Sequence, residues 1–163
     1  MSMKIYLAGP DVFRPDVLAW AEAVRACLAA AGHQALVPLD NEASTAAGIC
    51  RANLELIAQA DVLLANLNPF RGCEPDSGTC FEVGYALALG KRVIGYLADD
   101  RPQRAKLAEY YGADASWRDG RPVDPQGMAI EDFALPVNLM LGVSCTIVEG
   151  GLAQALAHLT DQP

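Results

Sequence analysis

Two carboxylates within one short stretch are the residues of this sequence best suited to chemistry. Asp76 and Glu82 lie in residues 76–86, where a loop is expected to lead into a helix. The dipole of a helix favours an ionised carboxylate near its first turn, and an ionised carboxylate can act as a nucleophile. With a second carboxyl group nearby, it can displace a leaving group from an anomeric carbon through a glycosyl-enzyme ester, with overall retention. Such chemistry requires neither a metal ion nor a cofactor.

The same residues also permit a purely structural interpretation. Thr79 and Glu82 have the spacing of a capping box, with Thr79 as the N-cap and the Glu82 side chain bonded to its backbone N–H. The neighbours Phe81 and Val83 are apolar, which is not typical of a solvated helix face. Asp76 supplies a second carboxylate in the preceding loop. These features favour a catalytic role for Glu82, although the pattern alone leaves both interpretations open.

The hydrophobic pattern predicts the elements that must position these carboxylates. Continuously apolar runs predict strands at residues 4–8, 34–37, 61–67, 92–97 and 145–148. Helical spacing predicts helices at residues 16–31, 48–60, 79–89, 137–143 and 152–159. Apolar strands separated by helices are typical of a parallel sheet covered on both faces. We therefore predict an α/β, doubly wound fold with five strands, in a single domain over residues 1–163.

This fold predicts where a ligand would bind. In doubly wound sheets, ligands lie outside the carboxyl ends of the strands. That rule selects residues 6–13, 40–42 and 66–78, together with the first turn of the helix that follows. Residues 98–135 are rich in Pro, Gly, Asp and Arg, with a weak helical patch at 103–110, and we expect a functional loop or an excursion over the site there.

Several other catalytic motifs are absent or incomplete. Pro10 stands where the dinucleotide fingerprint requires a glycine, so we expect no dinucleotide cofactor. Residues 84–92 depart from the spacing of a phosphate loop and carry Arg92 in place of Ser or Thr. Asn66 stands where a receiver domain needs its phosphoacceptor Asp, and no Ser lies in a GxSxG pattern.

Composition excludes further classes of function. The 163 residues are 52% hydrophobic and carry a formal charge of −8, which disfavours nucleic acid or an anionic membrane as a partner. No apolar run approaches the ~20 residues of a membrane span, and the first residues do not resemble a signal peptide. Five cysteines without a CxxC pair and only two histidines predict free thiols and no metal site. We expect a cytoplasmic protein without cofactors.

Four separated motifs together resemble the nucleoside 2-deoxyribosyltransferase family. They are IYLAGP at residues 5–10 with Phe13, VPLDN at 37–41, DSGTCFEVGYALALGK at 76–91 and PVNLM at 136–140. The resemblance spans about residues 4–160, and residues 76–86 are its most specific part. It implies a flavodoxin-like fold and transfer of 2-deoxyribose from a deoxynucleoside to another purine or pyrimidine base, in nucleotide salvage.

The resemblance also implies a role for each matching residue. Glu82 would attack the anomeric carbon, Tyr6 would hold the carboxylate by a hydrogen bond, and Asp76 would bind a deoxyribose hydroxyl. The implied substrate contacts are Gly9, Asp11, Phe13, Asp40, Asn53, Asn138 and Met140. Of these, Asn138 would reach the sugar 5′-hydroxyl of a neighbouring subunit, and Met140 would line the same wall. The resemblance therefore implies a homo-oligomer with sites shared between subunits, acting on deoxynucleosides and free nucleobases.

One position departs from the family pattern. Some members have an Asp, proposed to protonate the leaving base, at the position aligned with Asn53, and an amide cannot donate a titratable proton. Asp11 or Asp40 would take that role here, or the base would leave with hydrogen-bond assistance alone. Asp11 is slightly favoured because it follows the first strand.

Structural alternatives exist for the remaining residues and for the function. Tyr6 alone would fit a strand tyrosine, Asn138 a helix cap, and Phe13 and Met140 core residues. A rival function is a hydrolase of deoxynucleoside 5′-monophosphates with Arg71 near its phosphate site, and another is a non-enzymatic ligand-binding module. The alanines among residues 43–47 weakly favour a purine, the larger base.

Overall fold

A five-stranded parallel sheet forms the centre of the protein. The computed structural model describes residues 2–112 and 116–160. Its strands are β1 (Lys4–Ala8), β2 (Gln34–Leu36), β3 (Val62–Asn66), β4 (Arg92–Leu97), β5 (Ser116–Arg118), β6 (Arg121–Val123) and β7 (Thr146–Glu149). The sheet has the order β2-β1-β3-β4-β7, whereas β5 and β6 form a separate antiparallel pair. The main sheet has the doubly wound strand order of flavodoxin-like folds, so the predicted fold class is confirmed.

Helices cover both faces of this sheet. They are α1 (Val17–Ala30), α2 (Ala46–Gln59), α3 (Ser77–Ala88), α4 (Gln103–Tyr111), α5 (Leu139–Ser144) and α6 (Leu152–Thr160), with a 3₁₀ helix at Pro10–Phe13. Side chains that prefer N-cap positions begin three of them: Thr45 caps α2, Asp76 caps α3 and Asn138 caps α5. Gly112, in the left-handed conformation, ends α4.

The alternation of side chains along β1 separates two cores. Ile5 and Leu7 join a buried cluster with α1 and α6. Tyr6 and Ala8 join the cluster on the opposite face, with residues of α2, α3 and α5. Because successive side chains of a strand point to opposite faces, one short apolar run supplies both cores. Tyr6 is thereby directed toward α3.

The predicted elements are present with shifted bounds. Helix α3 begins two residues before the predicted start, α5 begins at Leu139 instead of residue 137, and the last strand is Thr146–Glu149. The segment 98–135 is not a plain loop, because it contains α4 and the β5–β6 pair. Residues 113–115 of this segment lie outside the described residues. Across residues 2–112 and 116–160, no helix has both the length and the apolar character needed to cross a membrane.

Candidate active site

A direct hydrogen bond joins Tyr6 and Glu82. Tyr6 lies in β1 with its side chain fully buried, at 0% exposure, and Glu82 lies in the second turn of α3. The Tyr6 hydroxyl donates to Oε1 of Glu82 at 2.6 Å. Hydrogen bonds of this length to a carboxylate are among the strong, charge-assisted kind. The bond holds one carboxylate oxygen against the sheet and leaves Oε2 for other contacts.

Asp76 begins helix α3, and this position corrects the capping-box interpretation. Its Oδ2 accepts hydrogen bonds from the backbone N–H of Thr79 at 2.9 Å and from the Thr79 hydroxyl at 3.1 Å. Asp76 is therefore the N-cap, and Thr79 is the third residue of the helix. Glu82 lies nearly one turn further on and bonds to Tyr6, so it does not fold back onto the backbone of Thr79. The Asp76 side chain also explains the earlier start of the helix.

Burial controls the protonation of the Tyr6–Glu82 pair. Loss of contact with water raises the pKa of Glu82 to about 7; the hydrogen bond from Tyr6 opposes this increase, and the charge of Asp76 adds to it. The sequence suggested that the helix N-terminus would favour ionised Glu82, but Glu82 lies beyond the first turn and is half-buried, so burial has the larger effect on its pKa. Burial, with a smaller effect from Glu82, raises the pKa of the Tyr6 phenol. Tyr6 therefore stays protonated and acts as a donor.

Gly9 and Asp11 lie at the predicted edge of the sheet, beside the end of β3. The side-chain amide of Asn66 donates to Oδ2 of Asp11 at 2.8 Å. A Cβ atom at position 9 would lie 2.8 Å from the Cβ of Asn66 and 2.9 Å from Asp11 Oδ2. Ordinary Cβ atoms do not approach other atoms this closely, so only glycine fits between these two side chains.

Phe13 is part of an exposed aromatic cluster. It ends the 3₁₀ helix after β1 and is 56% exposed, so the core interpretation is wrong. Its ring stacks on Phe70, with centroids 5.4 Å apart and planes at 12°. The guanidinium of Arg71 lies over both rings, at 5.1 Å from the Phe13 centroid and 4.7 Å from that of Phe70. Exposed aromatic rings provide a stacking surface for planar ligands.

Asp40 does not lie with these residues. Its carboxylate forms an ion pair with Arg25 of α1, and its Oδ2 accepts from the backbone N–H of Val37 at 2.8 Å. Helix α1 packs on the face of the sheet opposite to α3. These contacts give Asp40 a structural role in the turn after β2, and its expected place in the substrate site stays a prediction.

Asn53 lies in α2, on the same side of the sheet as Tyr6. Its Oδ1 atom is buried and has no hydrogen-bond partner within the described part of the chain. Leaving a buried acceptor unpaired costs about 1–3 kcal/mol, so such an atom is suited to receive an N–H or O–H from a ligand. The structure thus supplies an acceptor where some family members have an acid.

Asn138 and Met140 line a separate groove between α3 and α5. Asn138 is the N-cap of α5: its Oδ1 accepts from the backbone N–H of Met140 at 3.0 Å, and its Nδ2 donates to Glu131 at 2.9 Å. Met140 is 72% exposed, so its core interpretation is wrong. The groove has a volume of about 450 Å³ and is largely apolar. Glu82, which faces Tyr6, is not among the residues that line it.

Sequence reasoning missed part of this arrangement. Phe70 falls in the loop between β3 and α3, which the strand-end rule selects, but nothing in the pattern distinguishes it from other loop residues. Arg71 of the same loop was considered only for the phosphate site of the rival hydrolase, and its contact with the aromatic rings was not expected. Glu131 was also missed, because only the folded chain shows that it bonds to Asn138. Within residues 2–112 and 116–160, no group of three or more His, Cys, Asp or Glu side chains could hold a metal ion.

A comparison with protein families identifies the family of this chain. The family model of nucleoside 2-deoxyribosyltransferase matches residues 5–140, a span that contains Tyr6, Asp76, Glu82 and Asn138. The chain belongs to the nucleoside 2-deoxyribosyltransferase family. It is therefore an enzyme of this family, and the resemblance found in the sequence motifs is confirmed.

Three solved structures resemble this chain to different degrees. A 2-deoxyribosyltransferase from Leishmania mexicana is 38% identical, with a TM-score of 0.79, over 98% of this chain and 97% of that chain. A 2-deoxyribosyltransferase from Bacillus psychrosaccharolyticus is 23% identical over 71% of this chain and 86% of that one, with a TM-score of 0.48. A CMP N-glycosidase from Clostridium botulinum is 22% identical over 58% and 71%, with a TM-score of 0.43.

A curated relative shares part of the sequence. An uncharacterized protein of Schizosaccharomyces pombe is 31% identical over 116 residues, which are 65% of this chain and 55% of that protein. The chain thus matches about half the length of this relative.

Proposed function

We propose that this deoxyribosyltransferase-family enzyme moves 2-deoxyribose from a 2′-deoxynucleoside to another purine or pyrimidine base through a covalent deoxyribosyl-Glu82 intermediate. The single observation that carries the proposal is the 2.6 Å hydrogen bond from the Tyr6 hydroxyl to Glu82 Oε1. A buried tyrosine that orients one carboxylate oxygen leaves the other oxygen free to attack an anomeric carbon. Family membership supports the same class of reaction.

The proposed reaction has two half-reactions. In the first, Oε2 of Glu82 forms a bond to C1′ of the sugar while the bond from C1′ to the base nitrogen breaks. The electron pair of that bond leaves with the base, which takes up a proton. In the second, a nitrogen of the incoming base attacks C1′ and the ester bond breaks. The incoming base gives its N–H proton back to the group that protonated the first base, and Glu82 recovers its carboxylate. Two inversions at C1′ give overall retention, and the cycle uses no metal ion or cofactor.

The surrounding side chains support this chemistry through atoms that remain available for a substrate. Oδ2 of Asp76 is occupied by both bonds from Thr79, so we assign Oδ1 to a deoxyribose hydroxyl. Phe13 offers an exposed ring for the base. With Asp40 held by Arg25, Asp11 is the remaining candidate for protonating the leaving base. We also propose a preference for purines, because small side chains at residues 43–47 leave room for a larger base.

We further propose that the active enzyme is a homo-oligomer whose sites are completed by a neighbouring subunit. Asn138 and Met140 line the groove between α3 and α5, while Glu82 of the same chain faces away from it toward Tyr6. The exposed side chains of Met140 and Val143 give this region an apolar surface. A second copy packed here would cover that surface and bring its own Asn138 to the sugar site.

The setting of the enzyme follows from the same chain properties. We propose that residues 1–163 form one domain that works in nucleotide salvage in the cytoplasm, where its five free cysteines would stay reduced. The substrates would be small deoxynucleosides and free nucleobases.

A single incubation tests the reaction. Purified protein is mixed with deoxyinosine and free adenine, and deoxyadenosine and hypoxanthine are followed by chromatography without added phosphate or metal. Formation of deoxyadenosine supports the transferase. Hypoxanthine release without deoxyadenosine would instead indicate a hydrolase, and no reaction with purine or thymidine donors would contradict the proposal.

The role of Glu82 is tested with a matched pair of variants. Glu82→Gln keeps the size and the hydrogen bond from Tyr6 but removes the nucleophile, so transfer should fall by at least ~1,000-fold. Glu22→Gln on the exposed surface of α1 is the control and should retain full activity. Mass spectrometry of wild-type protein mixed with donor alone should show one deoxyribosyl group on Glu82. Near wild-type transfer by Glu82→Gln would overturn the assignment.

A further inference from the structure

Arg71 is a cation without an anionic partner in a strongly acidic protein. The chain carries a formal charge of −8, yet no carboxylate of the described residues pairs with the Arg71 guanidinium. Its contacts are the two aromatic faces of Phe13 and Phe70. A guanidinium lying on aromatic rings keeps its five N–H groups available at its edges, because the rings do not accept them in the plane.

The Arg71 backbone is held in an uncommon conformation. Its φ angle is 54°, in the left-handed region that residues other than glycine rarely adopt. The backbone N–H of the preceding residue, Phe70, donates to the carbonyl of Glu74 at 3.0 Å and closes the loop. This loop leads directly into Asp76, so the guanidinium and the catalytic carboxylates are separated by only a few residues of chain. The loop therefore places Arg71 at the aromatic cluster, where its side chain lies over both rings and remains exposed.

We propose that Arg71 is the residue that donates hydrogen bonds to the leaving nucleobase and stabilises the negative charge that develops on it. A base stacked on the exposed ring of Phe13 would lie next to the guanidinium, within reach of its N–H edges. Ring nitrogens and carbonyl oxygens of nucleobases accept such bonds, and arginine is the side chain that most often binds the acceptor edge of a purine. This inference rests on the proposed function and extends it to the departure of the base.

The charge that develops in this step is of the sign that such a donor stabilises. When the bond from C1′ to the base nitrogen breaks, its electron pair stays on the base and spreads to the acceptor atoms at the ring edge. In this role Arg71 neither gives up a proton nor forms a covalent bond, because its guanidinium contributes hydrogen bonds alone. Its contribution is therefore independent of Asp11, whose carboxyl group is the candidate for supplying the proton. The amide of Asn53 can accept a hydrogen bond but cannot supply that proton.

The first test measures binding and does not depend on turnover. The dissociation constant of hypoxanthine is measured by calorimetry for the wild type, Arg71→Met and Arg71→Lys. The matched control is Arg104→Met, which removes a partly exposed arginine that lies over the ring of Trp117 at 5.9 Å and also pairs with Asp132. We expect Arg71→Met to bind about 10-fold more weakly, Arg71→Lys to be intermediate and Arg104→Met to be unchanged. Equal binding by Arg71→Met would overturn the proposal.

The second test separates charge stabilisation from a merely structural role. The ratio kcat/KM of the donor half-reaction is measured for a series of deoxynucleosides whose free bases differ in acidity. For Arg71→Met the ratio kcat/KM should fall about 10- to 100-fold. This loss is smaller than the loss expected when a donor in a water-excluded site is removed, because Arg71 is exposed. The loss should grow as the leaving base becomes less acidic. A loss that is the same for every base would contradict charge stabilisation and indicate positioning alone.

The outcomes also distinguish this inference from the proposed function. If the wild type exchanges bases and Arg71→Met behaves like the control, only the role of Arg71 fails. If the wild type exchanges no bases but binds hypoxanthine more tightly than Arg71→Met does, the proposed transferase activity is wrong and the contact between Arg71 and the base stands. A larger loss with deoxyinosine monophosphate than with deoxyinosine would show that Arg71 binds phosphate and would overturn its assignment to the base.

Discussion

The hydrogen bond between Tyr6 and Glu82 makes a quantitative prediction about the pH dependence of the enzyme. In the proposed mechanism Glu82 attacks the sugar as a carboxylate, and burial raises its pKa to about 7 in spite of the bond from Tyr6. In the variant Tyr6→Phe the aromatic ring still fills the core, but the hydroxyl that lies 2.6 Å from Oε1 is removed. The pKa of Glu82 should therefore rise further.

The size of this shift follows from the strength of the lost bond. A hydrogen bond to a charged group contributes about 1.5–3 kcal/mol, and about 1.4 kcal/mol corresponds to one pKa unit. Because protonated Glu82 keeps part of the interaction, we expect a shift of about 1–1.5 units. At pH 6 the ionised fraction would fall from about 10% to about 1%, whereas at high pH it would be complete in both proteins.

The assay is the pH profile of kcat/KM for deoxyinosine in base exchange. The rising limb should have its midpoint near the Glu82 pKa of about 7 in the wild type and at a higher pH in Tyr6→Phe. Tyr85→Phe removes the hydroxyl of a half-buried tyrosine of the same helix and should leave the midpoint in place. A Tyr6→Phe midpoint equal to that of the wild type would refute the electrostatic role of the bond.

Three further predictions follow from the structure. Because the folded-state pKa of Glu82 is raised, ionisation of Glu82 lowers the stability of the protein as the pH rises from about 4.5 to about 7. Glu82→Gln should therefore be more stable than the wild type by about 1–3 kcal/mol at pH 8 and close to it at pH 4. Equal melting temperatures at pH 8 would contradict the burial of the charge. Gly9→Ala should lower kcat/KM by at least ~10-fold by displacing Asn66, whereas Gly151→Ala, where the nearest atom would lie 3.8 Å away, should not. Met140→Asp should be a monomer by sedimentation and should have no transferase activity. Met128→Asp, at a comparably exposed methionine, should remain oligomeric and active. An active Met140→Asp monomer would contradict sites shared between subunits.

Much of the fold could be predicted from local sequence features. The continuously apolar runs gave the positions of five parallel strands, and β1 and β4 have the predicted bounds. Helix starts were less accurate, because a start depends on which side chain reaches the free N–H groups. At α3 that side chain is Asp76 and not Thr79, which only the folded geometry shows.

The candidate site could be predicted in part. Residues 76–86 identified the carboxylates, and the strand-end rule identified the loops around them. Asp40 satisfies the same rule, and the structure adds that its carboxylate pairs with Arg25 of α1. The aromatic cluster of Phe13, Phe70 and Arg71 joins two loops that are far apart in the sequence. Sequence patterns report on neighbours within a few residues, so they carry little information about such contacts.

The sequence by itself determined which residue types were available for chemistry. The sequence has only two histidines, its cations are scattered, and carboxylates lie at the start of a predicted helix, so the acid and nucleophile roles were assigned to Asp and Glu. The motifs indicated the family. The family resemblance implied a bond between Tyr6 and Glu82, but only the tertiary structure gave its 2.6 Å length and the burial that raises the pKa of Glu82. Burial and charge proximity arise from packing between distant segments, so protonation and orientation are properties of the folded chain.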